Sequence, residues 1–169
     1  IDKNQKIFNY LFYTILICFL CLIIDGYVQF FNGKNIFGLE LSDGYRISSF
    51  FGSELVLGSY LCRIFPIFFG LFIIIDQKNK IKKKTLFMLS LIFIFSEGLV
   101  LLSGERVALF FLNLSAIYII LLIKNYRTYR IWTYIGSLIL IISLIIFSPN
   151  TKTRIIDKTI SNFTNEKVE

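Results

Sequence analysis

Five long apolar runs, separated by short polar or basic segments, set the strongest limit on what this sequence can fold into. The 169 residues are 56% hydrophobic and have a mean hydropathy of +0.71, which is not the composition of a water-soluble domain. An apolar run of about 20 residues is long enough to cross a bilayer as a helix. We therefore predict an all-α, polytopic integral membrane helix bundle of about five transmembrane helices, at 7–24, 55–75, 85–102, 107–123 and 131–147.

Two basic segments between the apolar runs predict the orientation of the chain. Five lysines lie within 78–84, and three further basic residues lie within 124–130. Because positively charged loops remain in the cytoplasm, both segments are expected there, together with the N-terminus. The segments 25–54 and 148–169 are then expected on the opposite, outer side of the membrane.

The ends of the sequence indicate that it is part of a longer protein. It begins with Ile1, and its only methionine is Met88. We expect 1–147 to form a membrane domain and 148–169 to be the start of a truncated outer segment. Apolar residues at helical spacing in this tail favour an amphipathic helix along the outer membrane face, and a disordered end is the alternative.

The composition excludes several kinds of active site. The chain has no histidine, so it cannot supply a Ser/His/Asp triad or a histidine-based metal site. Cys18 and Cys21 have the CxxC spacing, but they lie inside an apolar run without a second ligand pair. We expect no metal and no cofactor. The basic residues follow membrane topology, so we expect the membrane and not a nucleic acid as partner.

The candidate site residues are the charges at or below the predicted outer surface. Arg63 and Glu97 fall inside two spans, roughly 12 Å and 8 Å below that surface at 1.5 Å per residue. Because a charge in hydrocarbon costs several kcal/mol, we expect the two side chains to pair or to share a wet cavity. A pair that only fixes helix packing is the alternative. The remaining charges in this group are Asp25, Arg46, Glu54, Glu105 and Arg106.

Arg46 and Arg106 have the chemistry of a phosphate site. Each lies beside glycine in a polar segment, so neither is forced into lipid. A guanidinium group is a planar fork of donors that stays charged and can grip two phosphate oxygens at once. Two such groups at one membrane face suit a diphosphate. The alternative is that each arginine only marks the end of a helix.

Three short motifs resemble the O-antigen ligase and O-antigen polymerase family of bacterial inner-membrane proteins. The first is Arg46 followed by FFGSE at 50–54, the second is LSGER at 102–106, and the third is DGYVQ at 25–29. The resemblance covers roughly 25–123. It implies a location in the bacterial inner membrane, with the cytoplasm on the side of the basic segments and the periplasm outside.

The resemblance implies a membrane glycosyltransferase of lipopolysaccharide biosynthesis. Such an enzyme transfers or polymerises glycan from a polyprenyl diphosphate-linked donor onto a lipid or glycan acceptor. Family arginines that match Arg46 and Arg106 hold the diphosphate, and we expect four further charges to support the site: Glu54, Arg63, Glu97 and Glu105. Many members have Ser-Arg-Gly where this chain has GERV at 104–107, so Glu105 is an additional charge without an assigned role.

The catalytic base is expected outside this sequence. Ligases of the family carry a histidine in a large outer loop toward the C-terminus, which would lie beyond Glu169 here.

Two other classes of function fit the residues. One is a transporter or flippase segment that passes an anionic solute or lipid along Arg63 and Glu97, and the other is a structural membrane subunit. A transporter favours polar residues at mid-depth in several spans, but 7–24 and 131–147 carry no ionised residue.

Overall fold

A computed structural model describes residues 3–79, 83–124 and 126–147. Within these ranges the chain forms an all-α bundle. Four of its helices are long and apolar enough to cross a membrane, while the fourth in chain order is apolar but only 17 residues long. The predicted outer tail at 148–169 lies outside the described residues. The five helices are α1 Lys3–Asn32, α2 Leu57–Asn79, α3 Lys83–Ser103, α4 Arg106–Leu122 and α5 Arg127–Phe147.

The bundle has two chemically different ends. At the loop end, α1 is joined to α2 by residues 33–56, and α3 is joined to α4 by the tight turn at 104–105. At the basic end, α2 ends near the start of α3, and α4 ends near the start of α5. The helices α3 and α5 run in the same direction, because Ser90 meets Thr133 and Gly98 meets Leu140. The end of α5 therefore also lies at the loop end.

The first helix is longer than predicted. The loop was expected to begin at Asp25, but α1 continues to Asn32 and ends at Gly33, whose φ is +76°. The Gly33 N–H donates to the Gln29 carbonyl at 2.9 Å, which closes the last turn. The predicted start of the loop was wrong because Asp25 and Gln29 are buried with partners and do not need water.

Asp25 binds the loop through its carboxylate. It is fully buried, and its Oδ1 accepts the Ile36 N–H at 2.9 Å. Its Oδ2 accepts the Ser49 hydroxyl at 2.6 Å and the Asn35 amide at 3.3 Å. Hydrogen bonds to a charged group are the strong ones, so Asp25 is a firm anchor for the loop.

Gln29 lies one helical turn after Asp25 and binds the loop at two further places. Its Oε1 accepts the N–H groups of Ser48 and Ser49 at 3.1 and 2.8 Å. Its amide group donates to the carbonyls of Leu39 and Glu40 at 3.3 and 3.0 Å. We call the group of Asp25, Gln29, Asn35 and Ser49 the polar clamp. It provides hydrogen-bond partners for backbone N–H and C=O groups of the loop, which does not form a sheet.

The polar clamp sets the path of the chain to Arg46. Asn35 accepts the N–H groups of Phe37 and Leu39 through its side-chain oxygen, at 3.0 and 2.8 Å. The chain then reverses between Ser42 and Arg46, whose backbones bond each other in both directions at 2.9 and 2.8 Å. Asp43 and Gly44 occupy this reversal with φ of +54° and +74°, conformations that suit aspartate and glycine.

Two glycines let α1 pack closely against α3. A Cβ on Gly26 would lie 2.5 Å from a methyl carbon of Leu99, and one on Gly98 would lie 2.6 Å from the Tyr27 hydroxyl. Small residues at such contacts are common where helices associate in a membrane. Gly26 therefore stays within α1 despite its low helix propensity.

Removing the clamp should release the loop. In Asp25→Ala the Ile36 amide and the Ser49 hydroxyl lose their acceptor, and each stranded buried donor costs about 1 to 3 kcal/mol. We expect amide hydrogen exchange at Ile36 to become at least tenfold faster, because its N–H donates to Asp25. Exchange at Ser49, whose N–H donates to Gln29, should rise as the loop loosens. The measurement is amide exchange followed by mass spectrometry in detergent or nanodiscs.

Lys34→Ala is the matched control for this experiment. Lys34 pairs with Glu40 at 3.0 Å, but both side chains are more than half exposed, and such pairs contribute little. Exchange in this variant should match the wild type. Unchanged exchange in Asp25→Ala would contradict the anchoring role of Asp25.

Candidate functional site

The turn between α3 and α4 is joined to the start of α2 by Glu105. The Glu105 carboxylate accepts the N–H groups of Gly58 and Ser59 at 2.6 and 2.9 Å, and it also accepts the Ser59 hydroxyl. These N–H groups belong to the first turn of α2, which has no intrahelical acceptors for them. A carboxylate is also favoured there by the helix dipole. Glu105, which had no assigned role in the sequence, thus caps α2.

Gly58 allows α2 to approach this turn. A Cβ at Gly58 would lie 2.7 Å from the Ser103 hydroxyl and 3.0 Å from a Glu105 carboxylate oxygen. Any larger residue would have to displace the cap. The N-terminus of α2 and the α3–α4 turn are therefore held together as one unit.

Arg46 is held over the same turn. Its Nε donates to the Ser103 carbonyl at 2.9 Å, and one terminal nitrogen lies 3.8 Å from the Asp43 carboxylate. Its side chain is 19% exposed, so it is largely packed but still reaches the surface. The next residue, Ile47, is buried and donates its N–H to the Leu102 carbonyl at 3.4 Å. The end of α3 thus fixes the position of Arg46.

Arg106 lies three residues after the carbonyl that binds Arg46. It is the first residue of α4, and it is exposed. A cation at a helix N-terminus does not stabilise the helix, whereas an anion bound there is stabilised by the dipole and the unpaired N–H groups. The structure thus brings Arg46 and Arg106 to one turn, and the start of α4 adds donors for an anion.

Among the described contacts, Glu54 and Arg63 take no part in the hydrogen bonds around the α3–α4 turn. Glu54 is exposed in the segment before α2, where its N–H donates to the Phe51 carbonyl at 3.0 Å. Arg63 is exposed on the second turn of α2. An arginine near a helix end can extend its head group to the membrane surface, so its position does not require a buried partner.

The predicted pair of Arg63 and Glu97 is not formed. Glu97 is completely buried, and neither of its carboxylate oxygens has a hydrogen-bond partner in the described part of the chain. The reason lies in the direction of the side chains. Helical side chains incline toward the N-terminus of their own helix, so Arg63 on α2 inclines toward the loop end and Glu97 on α3 inclines away from it. A similar predicted depth below the outer membrane surface was not enough to bring Arg63 and Glu97 together.

The anchoring role of Asp25 and Gln29 was not predicted, although Asp25 was among the candidate site residues. Asp25 and Gln29 were interpreted as part of a loop, although their spacing of four places them on one face of a continued helix. That spacing was the available signal. The partner of Glu105 gave no such signal, because Gly58 and Ser59 are more than 40 residues away in the chain.

Loss of the Glu105 cap should destabilise the start of α2. Glu105→Ala leaves two N–H groups of the first turn without their acceptor, so we expect a loss of about 1 to 3 kcal/mol in stability. Glu105→Gln keeps one acceptor oxygen and should lie between alanine and wild type. Thermal unfolding in detergent, followed by circular dichroism, measures this order.

Glu54→Ala serves as the control, since Glu54 is an exposed carboxylate close to the same helix start. It should unfold at the wild-type temperature. Equal unfolding temperatures for Glu105→Ala and Glu54→Ala would show that Glu105 does not stabilise α2.

Comparisons with known proteins leave the family of this chain open. No family model, no curated protein and no solved structure matches the sequence.

Proposed function

We propose that this chain is part of a membrane glycosyltransferase of the O-antigen ligase and polymerase type. In this proposal it transfers or polymerises glycan from a polyprenyl diphosphate-linked donor onto a lipid or glycan acceptor. The site is the surface around the α3–α4 turn, with Arg46 and Arg106 as the diphosphate-binding residues. Glu105 supports them by fixing the turn.

The observation that carries the proposal is the placement of two arginines at one turn of a membrane bundle. Arg46 is attached to the last carbonyl of α3, and Arg106 opens α4. A diphosphate leaving group gains negative charge in the transition state of glycan transfer. Donors that are already in position lower the energy of that charge without having to reorganise.

The loop end has a surface suited to a lipid-linked donor. Phe31, Phe37 and Phe50 are exposed there, and Phe37 stacks edge-on against Phe50 with ring centroids 5.5 Å apart. A polyprenyl chain is apolar and remains in the bilayer, while its diphosphate lies at the membrane surface. In the proposed arrangement the chain passes along the exposed aromatic side chains and the diphosphate reaches the arginines.

The proposed orientation follows from the basic segments. We place the loop end in the periplasm and the basic end in the cytoplasm of a bacterial inner membrane, with 148–169 on the periplasmic side. The glycan donor is then used on the outer face. Reporter fusions after Lys34 and Arg127 distinguish this orientation from its inverse.

The alternative is a transporter or flippase for an anionic solute or lipid. The buried Glu97 is the observation that favours it, because an ionisable group inside a membrane bundle is common in transport proteins. The transporter alternative is weakened because the predicted pair of Arg63 and Glu97 is not formed. Arg63 lies on the exposed face of α2, so it does not line a path with Glu97.

Arg106→Ala should abolish most glycan transfer in cells that produce the complete protein. One preorganised donor to the developing charge contributes about 3 to 4 kcal/mol, so the rate should fall roughly a hundred- to a thousandfold. Arg106→Lys should retain part of the activity, because it keeps the charge but loses the two-pronged hydrogen bond. Gel analysis of the attached or extended glycan, at matched protein level, gives the readout.

Arg46→Ala should lose activity as well, but it also removes the bond to Ser103. Arg106 is therefore the cleaner test. Lys34→Ala, a basic residue of the same loop end paired only with Glu40 among described residues, should keep normal activity. Normal glycan transfer by Arg106→Ala would overturn the diphosphate site.

A further inference from the structure

Glu97 is a buried acid that neither the fold nor the proposed site uses. Its exposed fraction is zero, and among the residues that the structure describes neither of its carboxylate oxygens has a hydrogen bond of normal geometry, nor has the buried hydroxyl of Ser96 beside it. The polar side chains next to it are Asn113 of α4 and Ser137 of α5. Each also bonds another group: Asn113 bonds Leu109 and Tyr134, and Ser137 bonds a carbonyl of its own helix.

Asp25 is the other fully buried carboxyl group of the described residues, and its surroundings differ from those of Glu97. It is as buried as Glu97, but it accepts three hydrogen bonds from Ile36, Asn35 and Ser49. Glu97 accepts none. An ionised carboxylate without donors or a cation is far more expensive to bury than the neutral acid. The surroundings of Glu97 therefore suit the protonated form.

No charged side chain among the described residues faces Glu97. The titratable groups around it are phenols, Tyr134 of α5 and Tyr27 of α1, whose hydroxyl lies against Gly98. Both are neutral at physiological pH. Arg63 of α2 lies on the outside of the bundle. The proton is thus the simplest cation that this acid can hold.

A cavity at the basic end of the bundle extends as far as Tyr134, whose hydroxyl bonds Asn113 beside Glu97. It lies between α2, α3, α4 and α5, with Asp76, Tyr126 and Arg130 toward the basic end and Tyr134 at the deep end, and most of its other lining side chains are apolar. The Arg130 guanidinium donates to the Ile119 carbonyl at 2.7 Å. The Tyr126 hydroxyl donates to Asp76 at 3.2 Å, and desolvation followed by that carboxylate raises the pKa of Tyr126. Tyr126 thus stays a neutral donor.

Three polar side chains, Ser90, Thr133 and Tyr134, lie among the apolar residues of the deeper part of the cavity. Thr133 donates to the Ser90 hydroxyl at 2.8 Å, and both residues line the cavity. One residue further, the Tyr134 hydroxyl donates to Asn113 at 2.9 Å, and Asn113 lies beside Glu97. Toward the loop end, by contrast, Glu97 is followed by four buried apolar residues, 99–102. The cavity thus approaches Glu97 from the basic end, with Tyr134 and Asn113 between them.

We propose that Glu97 is a proton-binding site inside the membrane, held as the neutral acid and reached by protons through the cavity at the basic end. The ligand is a proton delivered by water in the cavity, passing Ser90, Thr133 and Tyr134. The site does not depend on the glycosyltransferase proposal, since it is separated from the α3–α4 turn by the apolar residues 99–102.

Reaction with dicyclohexylcarbodiimide tests the protonation state directly. This apolar reagent reacts with protonated carboxyl groups within membranes, so we expect the whole protein in vesicles to be labelled at Glu97 and not at Asp25. Peptide mapping by mass spectrometry locates the adduct in the wild type, so the result does not depend on a variant that folds. Labelling at Asp25 without Glu97, or no labelling of either, would overturn the proposal.

Infrared spectroscopy provides the second measurement. The C=O stretch of a protonated carboxyl should be present in wild type at neutral pH and absent in Glu97→Gln, which keeps the shape of the side chain. Transfer to heavy water should shift the band as the proton exchanges. A spectrum of Glu97→Gln identical to that of wild type would contradict the assignment.

The route is tested by removing a hydroxyl from the cavity. Thr133→Val keeps the volume of the side chain, and we expect it to slow exchange at Glu97 at least tenfold. Ser115→Ala is the control, because the Ser115 hydroxyl bonds only its own helix at Leu112 among the described contacts.

In oriented vesicles, raising the pH on the basic-end side alone should slow carbodiimide labelling. A response to the loop-end side instead would overturn the proposed access.

Discussion

The hydrogen bonds between the end of α1 and the backbone of the following loop hold the loop end together. Asp25 and Gln29 replace the solvent that the loop backbone would otherwise need, and they do so from a fully buried position. A loop of this length without a sheet has few internal ways to satisfy its N–H and C=O groups. The polar clamp solves that problem and places the loop over the ends of the other helices.

The position of the two arginines follows from this arrangement. The clamped loop delivers Arg46 to the end of α3, while Glu105 ties the next turn to the start of α2. Arg106 opens α4 directly after that cap. Each contact joins segments that are distant in sequence, so the surface around the turn depends on the whole loop end being folded. Glu97 lies in the bundle interior beyond the apolar residues 99–102 and forms a separate feature.

The helices could be predicted from the sequence because burial in lipid requires long apolar runs, and each of the five runs lies within or overlaps a helix of the bundle. The length of α1 could not be predicted from the sequence, since the burial of Asp25 depends on donors 10 to 24 residues later. The two arginines were selected from the sequence as site residues, and their role stays a prediction. The failure of Glu97 to pair with Arg63 and the contact of Glu105 with α2 depend on side-chain direction and on the packing of distant helices, which depth along a span does not reveal.

The loop is fixed to the helix ends so that Arg46 lies at the α3–α4 turn. Spin labels at Phe37→Cys and Val107→Cys, two exposed positions, report on this when the three native cysteines are replaced by alanine. Pulsed electron paramagnetic resonance in nanodiscs should give one narrow distance distribution, which broadens when Asp25→Ala is added. A broad distribution in the presence of Asp25 would contradict a fixed loop, and with it the proposed arrangement of Arg46 and Arg106.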